Sequence, residues 1–171
     1  MRLALAVLLL LIARPALAGG EPDGVLGVPW DATQADLRSA LQQGSDTVRC
    51  DSPEICRMTR ARLGTVPVNV TYFVPKDGKF EMAIITFDPV DYEKLVALFV
   101  DRYGDPGSAR WDQVQLSGCS AAIRNTVLEW AGSRVVMDLR NYESRTEGRA
   151  TFMLKALRDR DAAAAGAPEK K

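Results

Sequence analysis

The stretch from Val66 to Pro106 constrains the fold more than any other part of this 171-residue chain. Val66, Val68, Val70, Tyr72 and Val74 occupy every second position, with Asn69 and Thr71 between them. A period of two, built from β-branched and aromatic residues, is the pattern of a half-buried strand. Pro75-Lys76-Asp77-Gly78 is turn chemistry, since proline presets φ and glycine supplies a positive one. The return strand, Lys79 to Phe87, places Phe80, Met82 and Ile84 on one face and Ala83, Ile85 and Phe87 on the other. Apolar residues on both faces mark a central strand, or a strand with a binding face. Asp88 is placed to cap a helix and Pro89 to fill its first position. Tyr92, Leu95, Val96, Phe99 and Tyr103 then form a stripe at helical spacing, and Gly104 and Pro106 stop the helix.

Ahead of this unit, Met1 to Ala18 reads as a secretory signal peptide. Arg2 gives the basic start, Leu3 to Ile12 the apolar run, and Ala16-Leu17-Ala18 the small-residue cleavage site. A retained N-terminal helix is the alternative. The run is too short for a permanent membrane anchor, and no cysteine follows the cleavage site to carry a lipid. The expected location is therefore periplasmic or secreted. Removing Arg2 and Arg14 leaves 20 basic against 22 acidic residues. That balance argues against a nucleic-acid partner, because phosphate binding needs concentrated positive charge. Residues 19–24 read as a flexible leader and 25–157 as a single domain. Residues 158–171 carry no apolar stripe and read as a disordered tail, with a frayed terminal helix as the runner-up.

Thr33 reads as a helix cap with Asp36 as its capping-box partner, and Leu37, Ala40 and Leu41 form the stripe that follows. Cys50 and Cys56 bound a tight loop containing Pro53. Arg57, Arg60 and Arg62 come next; their expected role is a solvated sheet edge rather than an anion site. After Pro106 the alternation predicts further strands around Arg110–Leu116, Thr126–Trp130, Val135–Leu139 and Ala150–Leu154. The fold class is α+β, with two helices packed on one face of an antiparallel sheet. The order helix, strands, helix, strands suggests two α-β-β-β units.

Gly27-Val28-Pro29-Trp30-Asp31-Ala32-Thr33 ahead of an amphipathic helix resembles small exported proteins of unknown function from Gram-negative bacteria. The run from Leu95, closing in Tyr103-Gly104-Asp105-Pro106, is similar to helix ends of SmpA/OmlA-type outer-membrane assembly proteins and β-lactamase-inhibitor-like domains. The resemblance covers two short pieces. It implies two helices on an antiparallel sheet and action by binding other proteins. The chain departs from the assembly lipoproteins in lacking the lipidated cysteine, and no functional residue carries over.

The chain has no histidine, which removes Ser-His-Asp and Cys-His catalysis and the usual zinc sites. Walker, GxGxxG, GxSxG and EF-hand patterns are absent as well. Cys119 has no visible source of thiolate activation. Asp112, Glu129 and Asp138 are the carboxylates available to a hydrolase. Asn69-Val70-Thr71 matches a glycosylation sequon but lies inside a predicted strand. Trp30, Tyr72, Trp130 and Tyr142 read as core, while Phe73 and Trp111 are the aromatics expected at the surface. The expected function is a non-catalytic, cofactor-free binding module for a protein or envelope component. The alternative is a histidine-free carboxylate hydrolase of the cell envelope. Phe73, Ala83, Ile85 and Phe87 form the expected partner face, opposite the helices. Cys50 and Cys56 are expected to pair because short loops close readily, leaving Cys119 free.

Overall fold

The computed structural model describes residues 20–44, 48–75, 78–115, 122–142 and 146–165. The expected signal peptide and Cys119 lie outside the described residues. No helix among the described residues is long and apolar enough to cross a membrane.

A small hairpin, β1 (Gly24–Val25) and β2 (Val28–Pro29), opens the described chain. Helix α1 (Gln34–Gly44) follows. Its entry is a reciprocal box: the Asp36 N–H donates to Thr33 Oγ1 at 3.3 Å, and the Thr33 N–H donates to the Asp36 carboxylate at 3.0 Å. Four strands come next: β3 (Val48–Ser52), β4 (Ile55–Leu63), β5 (Val66–Phe73) and β6 (Met82–Phe87). Asp88 accepts from the Val90 N–H at 3.0 Å and caps a 3-10 turn over Pro89–Asp91, which runs into α2 (Tyr92–Tyr103). Gly104, at φ 79°, takes the left-handed step that ends α2. A second set of four strands is β7 (Ser108–Gln115), β8 (Ala122–Ala131), β9 (Val135–Tyr142) and β10 (Gly148–Leu154). Helix α3 (Lys155–Ala165) closes the described chain.

The eight long strands form one antiparallel sheet in the order β3-β4-β5-β6-β10-β9-β8-β7. The order reads as two four-strand meanders, each preceded by a helix, joined through their last strands β6 and β10. Each unit is therefore α-β-β-β-β rather than the expected α-β-β-β. The strand added to the first unit is β3, whose only strand-favouring apolar residue is Val48. Its place in the sheet comes from pairing with β4 beyond the Cys50–Cys56 turn.

One face of the sheet is the core. Val66, Val68, Val70 and Tyr72 from β5 meet Ala83, Ile85 and Phe87 from β6, Ala150 and Phe152 from β10, and Met137 and Leu139 from β9. The stripe of α2 lands here: Leu95 and Phe99 are fully buried, and Phe99 stacks edge-on against Trp130 and Phe152 at centroid distances of 5.4 and 5.5 Å. Burial of each such side chain stabilises by roughly 1.5–3 kcal/mol. Gly148 sits where a Cβ would stand 2.3 Å from the Phe87 ring, so its bare backbone lets that ring lie across β10.

Ala83, Ile85 and Phe87 thus belong to the core and not to an exposed partner face. Residues directly opposite in an antiparallel pair share a face. The register sets Ala83 opposite Tyr72, Ile85 opposite Val70 and Phe87 opposite Val68. Phe80 is buried as well, although it has the opposite parity to Ala83. It precedes the strand, its N–H donates to Ala32 O at 2.8 Å, and the chain changes phase before Met82.

Both ends of the domain are more ordered than the sequence implies. The leader is docked: Glu21 accepts from the Arg134 N–H at 2.9 Å and from the Ser133 N–H. Pro22 O accepts from Trp30 Nε1 at 2.6 Å, and the Trp30 ring stacks on Phe80 at 4.7 Å. The expected tail is helical through Ala165, held by Arg158 to Glu129 at 3.2 Å and Arg160 to Glu81 at 2.7 Å.

Candidate functional site

The sheet face opposite α1 and α2 is built by the alternate residues of the same strands. Cross-strand register arranges them in rows. One row runs Ile55, Phe73, Met82, Met153, and its first four members are half-buried apolar side chains. It ends at Val136, which is buried. The next row holds Arg57, Thr71, Ile84, Thr151, Asp138 and Glu129. A third holds Asn69, Thr86, Arg149, Arg140, Val127 and Arg110. The face is therefore an apolar band bordered by arginines. Of the four expected partner-face residues, only Phe73 lies on it.

Its charges are partly paired. Arg49 and Arg57 converge on Asp51 beside the disulfide. Arg140 donates to Asp138 at 2.9 Å; desolvation opposes its charge, but that carboxylate outweighs the penalty and raises the guanidinium above its ordinary pKa. Glu129 meets Arg158 at 3.2 Å and Arg110 at 3.9 Å. Helix α3 is held against the sheet by Arg158 and Arg160, and none of its residues is fully buried.

Cys50 and Cys56 form a disulfide, with Cα atoms 3.9 Å apart at directly opposed positions of β3 and β4. Arg57 lies inside the edge, because β3 pairs outside it through Arg49, whereas the β3 pairing stops at Met58 and Arg62 pairs only with Pro67 of β5. Arg60 sits in a bulge at φ 60°, and its N–H donates to Asn69 Oδ1 at 3.3 Å. Asn69 itself lies within β5.

Among the candidate carboxylates, Glu129 and Asp138 are directly opposed on β8 and β9, and each is engaged by an arginine. Asp112 pairs in register with Asn125 on β7 and β8. Three surface clefts are lined by residues other than Glu129 and Asp138. One cleft, about 820 Å³, lies between Pro29-Trp30-Asp31 and the start of α3 at Leu154–Ala156. A second, about 380 Å³, lies between Glu21, Trp130 and Tyr103, and a third, about 300 Å³, beside Arg60, Asn69 and Thr86. Among the described residues no group of three acidic or cysteine side chains is placed to hold a metal ion.

Tyr72 and Tyr92 bury their hydroxyls without a hydrogen-bond partner among the described residues. Burial pushes the Tyr72 phenol well above its usual range, and burial followed by the Glu93 charge pushes Tyr92 up to about 12. Both are packing groups that stay protonated. Trp30 and Trp130 are buried, Tyr142 is half-buried, and Trp111 is exposed.

No protein-family model matches this chain, and no curated protein matches it. Among solved structures it is similar to a DUF4309 family protein (YjgB) from Bacillus subtilis subsp. subtilis str. 168. The two share 10% sequence identity at a TM-score of 0.43, over 80% of this chain and 88% of the other. A likeness that distant carries no argument about either fold or function.

Proposed function

We propose that this chain is a non-catalytic binding module of the bacterial cell envelope, exported and acting in the periplasm or outside the cell. It docks a protein partner on the sheet face opposite α1 and α2. The observation that carries this reading is the band of Ile55, Phe73, Met82, Ile84 and Met153. These apolar side chains stay half-exposed on a rigid sheet, with Arg49, Arg57, Arg140 and Arg149 around them. Apolar side chains bordered by arginine are the composition of protein interfaces, where arginine is enriched and lysine is not. The partner surface that fits is apolar at its centre and acidic at its rim. The Cys50–Cys56 disulfide supports an oxidising compartment. The engagement of Glu129 and Asp138 by arginines supports a structural role for those carboxylates over hydrolysis.

The test is a pull-down of tagged mature protein from periplasmic extract, run in parallel with Phe73→Asp and Met82→Asp and with Val90→Asp. Val90 is 77% exposed at the start of the α2 segment, away from the open face. The first two substitutions should abolish capture while the variants stay folded, and the third should leave capture intact. Capture that survives both open-face substitutions contradicts the reading.

A further inference from the structure

Two residues other than glycine have a left-handed backbone among the described residues, Leu26 and Arg60. Leu26 lies in the tight turn between β1 and β2, where such a step is ordinary. Arg60, at φ 60°, lies within a long strand, where the β4–β5 register shifts between Met58 and Ala61. That conformation is strained for a residue with a Cβ, and bulges of this kind re-aim a side chain beside binding sites. Asn69 holds the bulge in place. Its Oδ1 accepts from the Arg60 N–H at 3.3 Å, which leaves the Asn69 NH2 group to donate elsewhere. Arg60 and Asn69 line the cleft of about 300 Å³, together with Thr86, Asp88 and Glu147.

We propose that this cleft binds a small zwitterion of the α-amino acid class. The cleft sorts its polar groups by charge. Thr86 stands opposite Asn69 on β5 and opposite Arg149 on β10. Arg60, the Asn69 amide and the Thr86 hydroxyl are the donors at one end. Arg149 adds positive charge beside them, and its Nε is buried without a hydrogen-bond partner. Asp88 and Glu147 follow two residues beyond Thr86 and Arg149, about 7 Å along the sheet at about 3.4 Å per residue. No ion pair among the described residues joins the two ends, and Asp88 accepts from the Val90 N–H instead. Both ends are thus left to a ligand. Its carboxylate lies on Arg60, Asn69 and Thr86, where a guanidinium with neighbouring donors gives charge-assisted hydrogen bonds. Its ammonium lies on Asp88 and Glu147. A simple anion is repelled by those two carboxylates and a simple cation by Arg60 and Arg149, so a ligand with both charges fits best. A cleft of about 300 Å³ is at the small end for ligand sites and suits a molecule of this size.

Titration of the isotope-labelled mature protein with L-alanine, followed by NMR, tests the proposal. The backbone amides of Arg60, Thr86, Asp88 and Glu147 and the side-chain amide of Asn69 should shift and saturate. Acetate and methylammonium each carry one of the two charges and should bind at least about tenfold more weakly, since each forgoes one set of charge-assisted contacts. Arg60→Gly should stay folded, because glycine takes a φ of 60° without strain, and Glu147→Gln should stay folded because Glu147 is exposed. Each substitution should weaken alanine binding by at least about tenfold, the loss of a hydrogen-bonded charge. No partner protein is present, so these outcomes are independent of docking on the open face. Shifts that are absent or do not saturate with alanine, acetate that binds as tightly as alanine, or either variant binding alanine like the wild type would each overturn the proposal.

Discussion

Replacing Ile85 or its neighbour Ile84 with alanine distinguishes the two faces of the sheet. Ile85 is fully buried, opposite Val70 on β5 and Ala150 on β10. Ile84 is half-buried, opposite Thr71 and Thr151. The same three carbons are removed in each case. At Ile85 the lost transfer energy is about 2.4 kcal/mol, at about 0.8 per methylene. A cavity term adds to it, because a site enclosed between sheet and helices collapses only in part. The expected cost is about 3–4 kcal/mol. At Ile84 roughly half the transfer term is already missing, and no closed cavity forms, so the cost is about 1 kcal/mol. Urea unfolding of the mature protein, with the disulfide intact, measures both. A domain of this size has about 5–15 kcal/mol of stability, so both variants stay folded in water. Equal losses, or a larger loss at Ile84, would refute the assignment of faces.

Two other outcomes are expected. Reducing the Cys50–Cys56 disulfide should lower stability by up to about 2.4 kcal/mol, the chain-entropy value for a seven-residue closure, and non-reducing peptide mapping should recover that pair. The docking of the leader should fail in acid. Burial raises the Glu21 pKa, but the Arg134 N–H and then the Ser133 side chain and N–H outweigh it and hold the carboxyl below its usual 4.5. A lowered folded-state pKa means the stabilisation is complete above 4.5 and is lost as pH falls through the folded value. Amide exchange at Ser133 and Arg134 should accelerate over that range, and Glu21→Gln should abolish the pH dependence. Exchange that stays protected at pH 3 would contradict this account of the leader.

The parts of the fold legible in the sequence are those fixed by neighbours. Val66 to Pro106 is legible because strand period, turn, cap and stop all agree, and each acts within a few residues. The Asp88 cap and the Gly104 stop stand where the sequence puts them. The Cys50–Cys56 pair is legible for the same reason, since the two residues are six apart. The face of β6 was not, because alternation identifies a face only when one side is polar, and Met82 to Phe87 is apolar on both. Its orientation is set by register with β5, which depends on how the chain leaves the Pro75 turn. That ambiguity put Ala83, Ile85 and Phe87 on the wrong side of the sheet, and of the four expected partner-face residues only Phe73 lies on the side opposite the core. The missed neighbours Met82, Ile84 and Met153 become visible once Phe73 is paired across the sheet. The order at both ends was illegible for a different reason. Glu21 meets Arg134 at a separation of 113 residues, and Arg160 meets Glu81 at 79. No local pattern records contacts of that range.

The most direct test of the binding reading is site-specific photo-crosslinking in the periplasm. A photoreactive side chain at Phe73, at Met82 or at Ile84 should each yield one shared adduct, whose crosslinked surface is apolar with an acidic rim. The same group at Val90 should yield none, and raising the salt concentration should weaken the adducts from the arginine-bordered face. An adduct formed at Val90 and at none of the three open-face positions would contradict the account.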